Sequence, residues 1–266
     1  MRILNMDTEK KIAVIAITEK GALLANKISD ELNGILFLPE KFRGRIKATY
    51  FQELQEICKF CFDNFKGIIA VMAQGIVTRM INGLIKSKYT DPAVVVCDEV
   101  GRFSISMLSG HEGGANELTF LVSSITGAEP VITTASEANK IYVVGIGCRK
   151  GVDKQTVVEA ISYCSKLANI SINDIRVIVS CWHKKNETGL IEAAKELNCY
   201  LRFLPKEIYN NELYCFKEST AKKYLGIKSV AEPSALLAAR NPILVLNKTI
   251  FNGVTIAIAK ENLING

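Results

Sequence analysis

Short apolar runs alternate along this chain with stretches in which apolar residues recur every three or four positions, and polar or glycine-rich breaks separate the two. The first run predicts a strand from Lys11 to Thr18. It gives way to Glu19–Leu32, where Leu24, Ile28 and Leu32 fall on one face of a helix that Gly34 ends. Ile35 to Leu38 reads as a second strand, followed by a polar loop and a helix from about Thr49 to Phe65. Gly67 to Met72 is a third strand, which breaks at Ala73, Gln74 and Gly75 into another helix. Asp91 and Pro92 lead into a strand at Ala93 to Cys97, Asp98 to Arg102 forms a turn, and Phe103 to Leu108 is a further strand. A helix follows, with Ala115, Leu118, Leu121 or Val122, and Ile125 on its apolar face. Gly127 and Pro130 then introduce a short strand, Val131 to Thr133.

The polar stretch Thr134 to Lys140 reads as a linker and divides the chain into domains at 1–136 and 137–266. Beyond it, Ile141 to Ile146 is a strand running into the glycine-rich turn Gly145 to Gly151 and a helix whose apolar face is Val157, Ile161, Cys164 and Ala168. Ile175 to Val179 and Tyr200 to Leu204 are strands on either side of a helix at Glu187 to Leu197. Pro205 to Tyr209 is a short turn or helix, Glu218 to Leu225 a helix, and Val230 to Ala235 opens another. Ile243 to Leu246 and Val254 to Ala259 are strands separated by Asn252-Gly253, a strong hairpin signal. This order implies an α/β fold: two open α/β sheet domains with helices on both faces and an interdomain cleft. Ligands of such sheets sit beyond the carboxyl ends of the strands. That rule would gather Gln74, Gly75, Asp98, Glu99, Arg102 and the 109–117 loop on one edge of the first domain. In the second it would gather Arg149, Lys150, Ser180 and the 230–235 segment with Glu232 and Ser234.

The stretch LSGHEGGANEL, Leu108 to Leu118, is the richest in chemistry. It reads as a strand end, a tight turn and a helix start, with Gly113 and Gly114 in the first helical turn. Each glycine there costs about 1 kcal/mol relative to alanine unless a close backbone approach requires it. A helix start also offers unpaired N–H groups suited to a carboxylate, a phosphate or a developing oxyanion. Ser109 and Glu112 fit the capping box S-x-x-E, which would use those side chains on the helix itself. His111, one of only two histidines, stands in this polar loop as a candidate general base, whereas His183 reads as a surface residue.

Composition narrows the classes. The chain has 266 residues, 48% of them hydrophobic, with a mean hydropathy of +0.17, enough for well-buried cores. The segment Met1 to Lys11 lacks a signal-peptide plan and Ile12 to Ile17 is too short to span a membrane, so a cytoplasmic protein with no membrane contact is expected. The net charge of +6 comes from scattered Lys and Arg, which points to acidic small molecules and away from nucleic acid. Of eight cysteines only Cys58 and Cys61 form C-x-x-C, and their helical pattern buries them as small hydrophobes, so no metal site is expected. The turn Gly145 to Gly151 is one residue too long for a dinucleotide fingerprint. Arg149 and Lys150 in it read equally as a carboxylate clamp or a solvated pair, and Cys148 as a buried thiol.

Three motifs then carry a resemblance: DPAVVVCDEVGR ending at Arg102, LSGHEGGANEL, and PVITTA from Pro130. Together with VGIGCRKG ending at Gly151, Glu187-x-Gly189-Leu190, and SVAEPSA ending at Ala235, they resemble the N- and C-terminal parts of the cobalamin-biosynthesis CbiG family. The resemblance implies a cobalt-precorrin-5A hydrolase that opens a δ-lactone on a cobalt corrinoid and releases acetaldehyde. The alternative is a corrinoid-binding or carrier protein without turnover. In place of the middle segment usual in that family stand the residues of the expected linker, and Ser180 to His183 replaces a more acidic sequence. For that chemistry the residues suggest His111 as base, Gly113 and Gly114 N–H groups as oxyanion donors, and Asp98 or Glu99 as the orienting or second acid/base group, with Glu112 a further catalytic candidate. Gln74, Gly75, Arg102, Ser109, Gly110, Asn116, Arg149, Lys150, Ser180, Glu232 and Ser234 would contact substrate. Cobalt arrives with the corrinoid, so no cofactor is expected. Expected partners are the corrinoid, a second copy in a homodimer, and neighbouring pathway enzymes.

Overall fold

The computed structural model describes residues 12–209 and 221–263; the expectations for Met1 to Lys11, Cys215 and Glu218 to Thr220 lie outside the described residues. The chain divides after Thr134 into two compact units. In the first, β1 (Ile12–Ala16), α1 (Glu19–Leu32), β2 (Ile35–Pro39), β3 (Thr49–Phe51), α2 (Leu54–Asn64), β4 (Gly67–Val71), α3 (Gln74–Ile81), β5 (Ala93–Cys97), β6 (Phe103–Leu108), α4 (Ala115–Thr126) and β7 (Glu129–Val131) follow one another. The seven strands lie in the order β3-β2-β1-β4-β5-β6-β7.

Strand residues sort by parity. Val14, Ile69, Val71 and Val95 pack with Ala22, Ala25 and Ile28 of α1 and Leu118 and Val122 of α4. Ile15, Ile68, Ala70, Val94 and Val96 pack with Cys58, Cys61 and Phe62 of α2 and Val77 and Ile81 of α3. Both faces of the sheet are therefore covered, as the continuous apolar runs of buried strands require. Cys58 and Cys61 sit in the second layer, where burial pushes their thiols up to about 11 and about 12.

Three local expectations need correction. Asn33, not Gly34, ends α1 in the left-handed region (φ 51°), and Gly34 N–H bonds the Ser29 carbonyl. Thr49 to Phe51 is a strand parallel to β2, and the helix begins only at Leu54. A β-branched residue followed by two aromatics suits a pleated edge better than a helix start. The third correction concerns direction: β6 runs antiparallel to β5, with Cys97 opposite Ser104 and Val94 opposite Leu108. The five residues between those strands are too few for the crossover a parallel pair needs.

In the second unit α5 (Ala135–Ala138), β8 (Tyr142–Gly147), α6 (Lys154–Leu167), β9 (Ile175–Cys181), α7 (Thr188–Glu196), β10 (Tyr200–Leu204), α8 (Lys206–Tyr209), α9 (Ala221–Leu225), α10 (Ala231–Leu237), β11 (Pro242–Phe251) and β12 (Val254–Glu261) build a sheet ordered β10-β9-β8-β12-β11. The stretch expected as a linker is instead partly helical, with Glu137 buried and bonded to Lys140 at 3.0 Å. Asn252 (φ 47°) and Gly253 (φ 80°) make the tight β11–β12 hairpin. α6 and α7 cover one face of this sheet. α10 lies on the other, so close that a Cβ at Gly145 would sit 1.9 Å from the Ala231 carbonyl oxygen. Among the described residues no helix is long and apolar enough to cross a membrane.

Candidate functional site

The turn after β6 folds on itself. Ser109 leaves the strand in the left-handed region (φ 57°), and its carbonyl accepts from Gly113 N–H at 3.1 Å and Ala115 N–H at 3.2 Å. Gly110 carbonyl accepts from Asn116 N–H at 2.9 Å. The first donors of α4 are thus taken by carbonyls of the turn, so the S-x-x-E capping box does not form. Gly114 (φ 91°) is the N-cap, and the glycine pair precedes the helix where it was expected inside it. Ser109 Oγ is buried without a hydrogen-bond partner among the described residues.

The glycines of this turn are required by the turn itself. A Cβ at Gly113 would lie 2.4 Å from Ser109 Cβ, and one at Gly110 would meet Asn116 Oδ1 at 2.9 Å and Thr134 Oγ1 at 3.0 Å. No ligand approach is needed to explain them. Gly113 N–H is spent on Ser109, which removes it as an oxyanion donor. Among the described residues the N–H groups of Gly110, Glu112 and Gly114 have no protein acceptor. His111 is exposed at the tip of this turn. Glu112 faces Lys88 at 3.5 Å. Asn116, expected to touch substrate, is fully buried below the turn. Its Oδ1 accepts from Ser106 Oγ at 2.7 Å and its Nδ2 donates to Thr134 Oγ1 at 3.2 Å.

The antiparallel β5–β6 pair splits the expected cluster. The 109–114 turn leaves the edge of the sheet where β5 begins, whereas Gln74, Gly75, Asp98, Glu99 and Arg102 lie at the edge where β4 and β5 end. A five-residue strand separates those edges by roughly 15 Å. Neither Asp98 nor Glu99 can orient His111. Asp98 has a local role: one carboxylate oxygen accepts from Val100 N–H at 3.1 Å and the other from Arg102 and Phe103 N–H at 2.8 Å. It holds the β5–β6 turn. Gln74, Gly75 and Arg102 are exposed.

In the second unit the carboxyl ends of β8 and β9 do share an edge, because that pair is parallel. Arg149 and Lys150 are exposed there in the turn before α6. Glu187 holds that turn. One of its carboxylate oxygens accepts from Gly151 N–H at 2.7 Å and the other from Lys184 Nζ at 3.0 Å. A Cβ at Gly189 would sit 2.0 Å from the Val152 carbonyl oxygen, so α7 can approach the turn only because glycine stands there. Two expected substrate contacts are internal: buried Ser180 donates to the Ile146 carbonyl at 2.8 Å, and buried Ser234 pairs with Tyr209 Oη at 2.6 Å. Glu232 is partly exposed and accepts from Lys248 N–H. Burial pushes the Cys148 thiol up to about 11, which keeps it protonated near neutral pH.

Sequence reasoning missed Lys88, Ser106, Thr134, Lys184 and Glu187. Glu187 and Thr134 carried a signal, since Glu187 opens the Glu187-x-Gly189-Leu190 motif and Thr134 lies in PVITTA.

Two family models match long stretches of the chain. The family described as cobalamin synthesis G N-terminal matches residues 56–137, and that described as cobalamin synthesis G C-terminus matches 142–259. The chain belongs to the cobalamin synthesis G (CbiG) family. The N-terminal CbiG match carries the His111 turn, the C-terminal match carries the 147–151 turn with Lys184 and Glu187, and only residues 138–141 lie between them. A protein of Salmonella typhimurium named cobalt-precorrin-5A hydrolase is 36% identical over 138 residues, which are 52% of this chain and 39% of that protein. A Priestia megaterium protein of the same name is 24% identical over 352 residues, covering 93% of this chain and 94% of that one. Among solved structures, CobE, a protein from the cobalamin (vitamin B12) biosynthetic pathway, aligns with 46% of this CbiG-family chain and 91% of its own, at 25% identity and a TM-score of 0.43.

Proposed function

We infer that this chain is a cobalt-precorrin-5A hydrolase of cobalamin biosynthesis. The observation that carries the reading is the match of both CbiG parts together with relatives named for that activity, one of them aligned over nearly its whole length. The reaction opens the δ-lactone of the cobalt corrinoid and releases acetaldehyde, giving cobalt-precorrin-5B. Cobalt belongs to the substrate.

His111 takes a proton from water as the water oxygen bonds to the lactone carbonyl carbon. The carbonyl electron pair moves to its oxygen, which the N–H groups of Gly114 and of Gly110 or Glu112 stabilise. Collapse breaks the ring C–O bond and leaves a carboxylate and a hydroxyl. His111, having returned its proton to the ring oxygen on collapse, takes that hydroxyl's proton. The O–H electron pair becomes the aldehyde C=O, the adjacent C–C bond breaks with its pair passing to the macrocycle carbon, that carbon takes up a proton, and acetaldehyde departs. General-base help and one oxyanion donor each contribute about 10²- to 10³-fold or more. The orienting role given to Asp98 or Glu99 passes to Glu112, which neighbours His111 and pairs with Lys88. Arg149 and Lys150 are the exposed cations suited to carboxylates on the rim of the macrocycle.

The test is incubation of the purified protein with cobalt-precorrin-5A and trapping of aldehyde. One acetaldehyde per corrinoid is expected. Corrinoid binding with no aldehyde would overturn the reading in favour of a carrier.

A further inference from the structure

We propose that fully buried Asn116 and half-buried Ser106 and Thr134 form a bracket whose task is to position His111, so that Asn116 is a positioning residue and not a substrate contact. The proposal rests on His111 acting as the base.

Ser109 leaves β6 in the left-handed region with a buried hydroxyl that has no hydrogen-bond partner among the described residues. Such a conformation is strained for a residue other than glycine and persists only where the surroundings over-determine it. The bracket is what surrounds it. Asn116 is fully buried at the second position of α4, and its amide spans from Ser106 Oγ on β6 to Thr134 Oγ1 beyond β7. Its own N–H reaches up to the Gly110 carbonyl. Gly110 in turn rests on the three polar atoms, with room for hydrogen alone: a Cβ would stand 2.9 Å from Asn116 Oδ1, 3.0 Å from Thr134 Oγ1 and 3.4 Å from Ser106 Oγ. Strand, helix and the chain end of the first unit thus meet under the residue that precedes His111. Asparagine alone supplies, at this length, one acceptor for a serine and one donor for a threonine. Aspartate would put an acceptor against Thr134 Oγ1, which could answer only by turning its proton, and would bury a charge.

A bracket that only positions the base has a kinetic signature. Loss of the Thr134 hydroxyl in Thr134→Val, which keeps the side-chain shape, is expected to lower kcat about tenfold with KM within twofold. Thr134→Ser restores the hydroxyl and should restore kcat to within twofold. Asn116→Asp should lower kcat at least as far; if it fails to fold, the Thr134 pair still decides. Full kcat in Thr134→Val, or a loss confined to KM, overturns the proposal. His111→Ala separates the two readings: if it is inactive while Thr134→Val keeps full kcat, the bracket fails and the base stands; if His111→Ala is active, the base fails.

Discussion

The turn at 109–114 and the turn at 147–153 share a plan, strand to glycine-rich turn to helix, yet they are held in opposite ways. The first is closed by its own backbone, through Ser109 and Gly110 carbonyls, over a neutral amide bracket. The second is held from outside by an ion pair, since Glu187 from the segment before α7 accepts from Gly151 N–H and from the buried Lys184. The first turn carries an exposed imidazole next to the Glu112–Lys88 pair, over a bracket of uncharged side chains. The second presents Arg149 and Lys150 above a buried pair whose charges cancel.

The largest effect should come from the imidazole. His111→Ala is expected to slow acetaldehyde formation by about 10²- to 10⁴-fold, with corrinoid binding within a few-fold, measured by aldehyde trapping beside a titration of the corrinoid spectrum. Unchanged turnover would leave the first turn with no more chemistry than the second. Glu187→Ala should destabilise the protein by about 3–5 kcal/mol, because it strands a buried ammonium and an N–H. Denaturant unfolding measures this, and a change under 1 kcal/mol would mean that the second turn also holds itself.

Asp98→Ala tests the separation of edges. It removes an acceptor from three N–H groups and should cost about 1–2 kcal/mol of stability, as loss of a cap does. Its kcat should stay within twofold; a hundredfold fall would place Asp98 with His111 after all.

The smallest effect is acid sensitivity. Asp153 caps α6 at the end of the second turn, and hydrogen bonds from Thr156 hold its carboxyl below the usual range. Its folded pKa is lower than its unfolded value of about 3.9, so its contribution is full above that pH and is lost as pH falls through the folded value. Protection of the Thr156 amide, its exchange rate relative to the intrinsic rate at each pH, should therefore fall on acidification below about pH 4, and in Asp153→Asn the acid-dependent part should vanish. Equal acid sensitivity at Ala115, where no carboxylate caps the helix, would erase the contrast.

Much of this was legible along the chain. The runs Ala93 to Cys97, Phe103 to Leu108 and Tyr200 to Leu204 are the strands observed, and Glu19 to Leu32 is the helix, because period and burial agree there. The second unit's edge was readable too, since βαβ connectivity fixes parallel strands. The first unit's candidate site was misread at one point. The five residues from Asp98 to Arg102 signal a hairpin, and applying the carboxyl-end rule to every strand put the 109–117 loop on the edge of Asp98 when a whole strand separates them. The roles of Asn116, Ser180 and Ser234 were hidden for another reason: a polar residue looks the same in sequence whether it faces solvent or closes a buried hydrogen bond.

The sequence by itself determined which segments are strands and helices, that each sheet is covered on both faces, and that a histidine stands in a tight glycine turn. These follow from local periodicity and from backbone angles that only glycine readily adopts. The tertiary structure alone decided which edge of the sheet each loop leaves and which polar side chains are already spent. Strand direction and hydrogen-bond partners are set between residues such as Cys97 and Ser104, Asn116 and Thr134, or Gly151 and Glu187. Nothing in the local pattern of either partner encodes where the other will be.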